Sequence, residues 1–339
     1  MAKCEIDIEF NSGAQLPMSA IPELARMAES HGFGCAWAGE ANNKDPTVML
    51  AAIAAVTTGM KIGSAVYHIL GRTPATLALQ AVGLDELSGG RFILGIGSSN
   101  PTIAKWHGTD LDHPLARVRE YIEIVKSAME GKKLKFDGKF FSAHGFKMAF
   151  ETSGRKVPIY LAAFGPKMSR LAGELTEGVL INMANPVEVR RIAQQVHRGA
   201  EEAGKDPAAV EIICKVRCSV AEDQQAACEA LSHALTFYAL ADYYRDLLTR
   251  MGFGPEAEAM REAWRRGGFH AARALITDRL FSGLPLIAAT SVQQIREKIQ
   301  PYIEAGASRV ILPYVAATRD PVAEIKDFIS AWGQIETRS

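Results

Sequence analysis

The sequence predicts an α/β chain folded as a (β/α)₈ barrel. Short apolar, β-branched runs alternate with amphipathic stretches of helical length through eight units. No linker or second-domain boundary interrupts them, and 339 residues suit one barrel with insertions. The structural alternative is a doubly wound sheet, which the unbroken count of eight makes the poorer fit. One domain over residues 1–339 is therefore expected, with insertions at about 131–150 and 221–290.

The elements follow in order. Cys4–Glu9 reads as the first strand, with a helix over Met18–His31. Gly34–Ala38 is the second, with a helix from Pro46, and Lys61–Ala65 the third, with a helix over Pro74–Leu87. Ser88-Gly89-Gly90 ends that helix, as glycine past a C-terminus does. Arg91–Ile96 is the fourth strand, and a helix over Leu115–Glu130 follows a loop. Phe136-Asp137-Gly138-Lys139-Phe140 carries a hairpin signal inside a small β insertion. Pro158–Ala162 is the fifth strand, with its helix from Pro166, and Gly178–Asn182 the sixth, with a helix over Pro186–Ala203. Val210–Ser219 reads as one seventh strand, followed by a helical excursion, Ala221–Ala274, broken near Gly252 and Gly254. Arg309–Pro313 is the eighth, between helices over Ser291–Ala305 and Pro321–Trp332.

Composition narrows the function classes. Lys plus Arg equals Asp plus Glu at 38 each, with no basic tail, so nucleic acid is not an expected partner. Apolar runs such as Met49–Val56 fall short of a membrane span. Met1-Ala2-Lys3-Cys4-Glu5 shows no apolar signal region, and five cysteines form no pairing pattern. Reduced thiols in a cytoplasm are expected. Cys214 and Cys218 fall two strand positions apart on one face, but without a nearby His or third Cys no metal site is read there.

A barrel of this kind builds its site at the C-terminal ends of its strands, which fixes the residues to inspect. Ala162-Ala163-Phe164-Gly165-Pro166-Lys167-Met168 is the sharpest feature: a strand end, a Gly, and Pro at the first helical position. The amides of Lys167 and Met168 then stand free at a helix N-terminus suited to phosphate. The bland reading is a helix start with a solvated lysine. Leu94-Gly95-Ile96-Gly97-Ser98-Ser99-Asn100 lacks the Walker lysine and the third Rossmann glycine, so it is either a tight turn or a seat for a flat ring. Glu5, Asp7 and Glu9 share one parity, and Glu9, beside Phe10 and Asn11, ends its strand. It reads as a proton donor with a raised pKa, or as a structural carboxylate paired with Arg or Lys. His68, with Tyr67 and Arg72, follows the third strand; a lone loop His is more often structural. His31, His107 and His113 look like helix-end or loop residues. No nucleophile elbow or His-Glu-x-x-His pattern supports a hydrolase.

Taken together, these segments resemble the luciferase-like flavin and deazaflavin oxidoreductases, most closely the coenzyme F420-dependent methylenetetrahydromethanopterin reductase branch. Asp85-Glu86-Leu87-Ser88-Gly89-Gly90-Arg91, and Gly165-Pro166-Lys167-Met168 with Leu171-Ala172-Gly173-Glu174, are its most specific strings. The resemblance implies the barrel, a non-prolyl cis peptide at Ala65–Val66 behind the deazaflavin ring, and coenzyme phosphate on Gly165, Pro166, Lys167 and Met168. It implies pocket-lining positions at Asn43, Asn100, Ala163, Gly178 and Val179, and an acid at Glu9 near the substrate. It also exposes departures. Relatives often carry Asp-His where Glu40 and Ala41 stand, and the reductases carry Asp where Asn100 stands. A substrate other than methylenetetrahydromethanopterin is therefore expected.

The expected function is F420-dependent hydride transfer to or from a small organic substrate, with Glu9 as leading proton donor and His68 or Glu40 as substitutes. An FMN-dependent luciferase-like monooxygenase is the alternative, and a non-catalytic coenzyme-binding paralogue the second. Phe237-Tyr238 and Tyr243-Tyr244 in the excursion read as core packing, a lid or a subunit face. The resemblance implies a homo-oligomer, dimer or tetramer.

Overall fold

The computed structural model describes residues 4–10, 16–152, 154 and 156–336, with side chains to 334; Asn11 lies outside the described residues. Eight strands alternate with helices as the sequence predicts: β1 (Glu5–Glu9), β2 (Cys35–Ala38), β3 (Lys61–Ser64), β4 (Phe92–Gly97), β5 (Ile159–Ala162), β6 (Gly178–Asn182), β7 (Glu211–Lys215) and β8 (Arg309–Pro313). The accompanying helices are α1 (Ile21–Ser30), α2 (Pro46–Ala54), α3 (Pro74–Ser88), α4 (Pro114–Met129), α5 (Pro166–Leu175), α6 (Pro186–Glu202), α7 (Val292–Glu304) and α8 (Pro321–Glu336). Six of these eight helices begin on proline, whose fixed φ and missing N–H suit a first turn.

The residues group into two compact units, Met1–Gly34 with Ile181–Ala193 and Ile212–Ser339, and Cys35–Leu180 with Gln194–Glu211. In the second unit β2, β3, β4, β5 and β6 pair in that order, all parallel. Gly95 is required inside it: a Cβ there would lie 1.8 Å from the Ser64 carbonyl oxygen. The Ser64 hydroxyl instead bridges to Gly95 O (2.9 Å) and N (2.8 Å). In the first unit β1 and β7 flank β8, again in parallel, with Glu5 opposite Arg309 and Glu9 opposite Pro313.

Arg309 binds Asp7 at 2.8 Å and also reaches Glu5. Gly34 leaves room for this cluster, since a Cβ there would meet Glu5 Oε2 at 2.7 Å. Two of the three same-face acids of β1 are thus tied near its N-terminal end, where barrels keep structural rather than catalytic groups.

The structure departs from the sequence reading in three places. Val210–Ser219 is two strands, β7 and Arg217–Val220, because the latter pairs with Leu286–Ala289, a strand the sequence reading omitted. Cys214 and Cys218 therefore lie on different strands of different sheets. A short helix, Pro101–Trp106, fills the loop after β4, capped by Asn100 Oδ1 on the Ile103 amide at 3.0 Å. The hairpin forms as expected, Lys135–Asp137 against Ser142–His144. No helix of the described residues is long and apolar enough to cross a membrane.

Candidate functional site

The second unit gathers several sequence candidates at its strand ends. The Ala65–Val66 peptide is cis, as the resemblance implies. Its surroundings are specific: Ala65 N donates to Ala38 O (2.8 Å) and Glu40 N to Val66 O (3.1 Å). Gly97 lies beneath it, where a Cβ would meet Val66 Cγ2 at 2.8 Å.

Glu40 is then fixed by its side chain. It accepts from the His68 amide at 3.1 Å, pairs with the Arg72 guanidinium and lies 3.3 Å from His68 Nε2. Arg72 in turn reaches Asp45 at 3.2 Å and stacks over Tyr67. The structure thus brings two candidates, Glu40 and His68, into contact although 28 residues separate them. Desolvation holds the His68 pKa below its ordinary value, with His107 and Arg72 adding to the effect and Glu40 opposing it. The His68 imidazole is therefore neutral near pH 7, and among the described residues its ring nitrogens make no hydrogen bond.

The helix start Gly165–Met168 also has the form expected. Gly165 caps α5 without any side-chain hydrogen bond, whereas α2 and α3 are capped by Asp45 and Thr73. Among the described residues other than its chain neighbours, no atom lies within 4 Å of a Cβ built on Gly165, so the helix start is open at Gly165. Lys167 is exposed beside them. At the end of β4, Ser99 holds φ 77° and its buried hydroxyl has no hydrogen-bond partner among the described residues. An orphaned hydroxyl, an uncapped helix start and glycines where backbone approaches closely fit a phosphate-bearing, flat-ringed coenzyme.

The remaining candidates have other local roles. Asn100 spends its side-chain oxygen on the helix cap just described. Ala163 is buried and hydrogen-bonded to Leu180, and Asn43 is exposed. Gly178 and Val179 open β6 rather than close it, with Gly178 packed under the Tyr160 ring. They sit at the end of the strand opposite Asn182, because the strand begins where the motif does.

The first unit carries a second polar set at strand ends. Glu9 is buried against Lys215, whose Nζ lies 3.0 Å from Oε1 and 2.9 Å from Oε2. The paired-carboxylate alternative describes this geometry. Past the end of β7, Arg217 donates to Asn182 Oδ1 (2.9 Å) and to the Tyr238 hydroxyl, and stacks over the Tyr238 ring. Asn182 Nδ2 donates to Tyr244 at 2.6 Å. Burial pushes the Tyr243 and Tyr244 hydroxyls up in pKa. Sequence reasoning passed over Lys215 and Arg217. The only signal available was two cations within an apolar strand run, Cys214-Lys215-Val216-Arg217-Cys218. Among the described residues, no group of His, Cys, Asp and Glu is placed to hold a metal ion.

The model of the luciferase-like monooxygenase family matches residues 5–309. A 5,10-methylenetetrahydromethanopterin reductase of Archaeoglobus fulgidus is 32% identical over 300 residues, 84% of this chain and 86% of that protein. The enzyme of the same name from Methanolobus tindarius is 30% identical over 298 residues, 87% of this chain and 90% of that protein. The solved coenzyme F420-dependent tetrahydromethanopterin reductase of Methanopyrus kandleri matches at TM-score 0.83 and 25% identity, over 98% of both chains. The fold is accordingly the (β/α)₈ barrel that the alternation predicts.

Proposed function

This chain belongs to the luciferase-like monooxygenase family, and we propose that it transfers hydride between coenzyme F420 and a small organic substrate. It is an oxidoreductase, as its relatives are. What supports the deazaflavin reading is identity along most of the chain to two methylenetetrahydromethanopterin reductases, joined to an uncapped, open helix start at Gly165–Met168. When bound, the coenzyme supplies the carbon that gives or takes hydride. The amides of Lys167 and Met168 and the Lys167 ammonium would hold its phosphate, and Ser99 would give the coenzyme a hydroxyl partner. The backbone around Ala65–Val66, tied to Ala38 and Glu40, would back the ring.

For proton movement the chain offers Glu9 paired with Lys215, and neutral His68 with its Nε2 3.3 Å from Glu40. Glu40 is itself held by Arg72, whereas the His68 ring nitrogens make no hydrogen bond among the described residues and are open to a proton. The substrate is one other than methylenetetrahydromethanopterin, since Asn100 stands where the reductases carry a carboxylate and Ala41 where relatives often carry a histidine. Titrating the protein with F420 and with FMN, following fluorescence quenching, tests the reading. Saturable F420 binding is expected; tight FMN binding without F420 binding would establish the flavin monooxygenase alternative instead.

The chain's partner, in our proposal, is a second copy of itself, seated on α2 and α3. Pro46–Ala54 contains no charged residue, and Val48, Leu79 and Leu87 are exposed at 61%, 40% and 51%. A Val48→Glu variant is expected to elute later than the parent in gel filtration; a parent that already elutes as a monomer refutes this.

A further inference from the structure

The geometry points to a binding site for an oxygen anion of the substrate, a carboxylate or phosphate group, on Tyr238 and Asn182 with Arg217 behind them. This rests on the proposed hydride transfer to a small organic substrate, and it adds a substrate class. Hydrogen-bond direction decides it. A guanidinium only donates. Asn182 must therefore turn Oδ1 toward Arg217 (2.9 Å), which points its amide nitrogen to Tyr244, whose hydroxyl oxygen accepts at 2.6 Å. The Tyr238 hydroxyl oxygen likewise accepts from Arg217.

These three bonds all run away from the cation. The oxygens of Asn182 and Tyr238 are engaged as acceptors, while each residue keeps a proton to give: the second amide hydrogen of Asn182 and the hydroxyl hydrogen of Tyr238. Both residues are only partly buried, whereas Arg217 is 4% exposed. Donors lined up behind a buried cation polarise one another in the same sense, and charge-assisted bonds to an anionic oxygen are stronger than those to a neutral one. The neighbouring ammonium, Lys215, is matched by the Glu9 carboxylate and leaves the sign of the site unchanged. Such a face fits an accepting, negatively charged oxygen and repels a cationic substrate group.

The test is a titration of the coenzyme-free full chain with sodium acetate, inorganic phosphate and acetamide, following the side-chain amide NMR signal of Asn182, assigned by its loss in Asn182→Ser. Saturable movement with acetate or phosphate is expected, and whichever anion binds tighter identifies the carboxylate or phosphate source. Acetamide, of similar size but neutral, is expected to bind roughly tenfold more weakly or worse. Tyr238→Phe keeps the ring and removes the donor, and is expected to weaken anion binding about tenfold. Arg217→Gln is expected to abolish the preference for anion over acetamide. No movement with either anion, equal affinity for acetamide, or an unaltered Tyr238→Phe variant would overturn the proposal. F420 quenching reports separately: anion binding without F420 binding removes the functional reading and leaves this site, and the converse removes only this site.

Discussion

Replacing Lys215 by Met is expected to destabilise the protein more than replacing Lys215 and Glu9 together. The pair is almost wholly enclosed, the Glu9 side chain 1% and that of Lys215 10% exposed, with the ammonium 2.9 Å and 3.0 Å from the two carboxylate oxygens. Lys215→Met leaves a buried carboxylate without its counter-ion, a loss of about 3–5 kcal/mol. Removing both charges, as Glu9→Leu with Lys215→Met, lets the same volume pack as apolar surface, a change of about zero that ranges to a small gain. The non-additivity between the Lys215 and Glu9 replacements is therefore about 3 kcal/mol or more, far above the few tenths expected of independent sites. Urea unfolding of the coenzyme-free protein measures it, the midpoint moving while the slope stays constant. A double variant as unstable as the sum of the two singles, or a Lys215→Met loss below about 1 kcal/mol, would show that the pair is not the coupled, desolvated unit the distances indicate.

Three further outcomes are expected. Gly173→Ala would press a Cβ to 1.9 Å from the Val196 carbonyl oxygen, on backbone that cannot yield, and is expected to cost about 1–3 kcal/mol or more. Gly83→Ala, with nothing within 4 Å, is neutral or stabilising by up to about 1 kcal/mol; thermal unfolding compares the two. Because the folded-state pKa of His68 lies below its unfolded value, the unfolded chain takes up the proton first, so the neutral form's contribution is complete above about pH 6.5 and is lost as pH falls below it. Stability curves between pH 8 and 5 should flatten in His68→Asn; identical slopes in parent and variant would refute this. Lys167→Glu is expected to weaken F420 binding roughly tenfold, and the difference should shrink in high salt; quenching titrations at two ionic strengths check it.

Two sequence strings prove to be packing devices. Arg91, closing Ser88-Gly89-Gly90-Arg91, ties the Ser88 carbonyl, the Thr57 carbonyl and hydroxyl and the Ala54 carbonyl together, which locks the end of α2 to the start of β4. Glu174 makes a bidentate pair with Arg119 at 2.6 Å on both oxygens, and Gly173 admits the α6 backbone. Both strings are conspicuous in sequence because close backbone approach and forked ion pairs tolerate few residue types. Their residues are legible, but the partners they lock, 34 and 55 positions away, are not.

The sequence by itself determined the eightfold alternation, the helix starts on proline, the left-handed glycine at φ 69° ending α3 and the open helix start at Gly165. Each depends on backbone preferences within a few residues, so β6 and β8 fall where the sequence places them. Tertiary structure decided the rest. The break at Val216 has no local cause and exists because Arg217–Val220 pairs with a strand some 70 residues on. Glu9 is closed on Lys215 across 206 residues, and Arg217 reaches Asn182 across 35 and Tyr238 across 21. A side chain's charge partner is set by which strands lie side by side, and no periodicity in the chain encodes that.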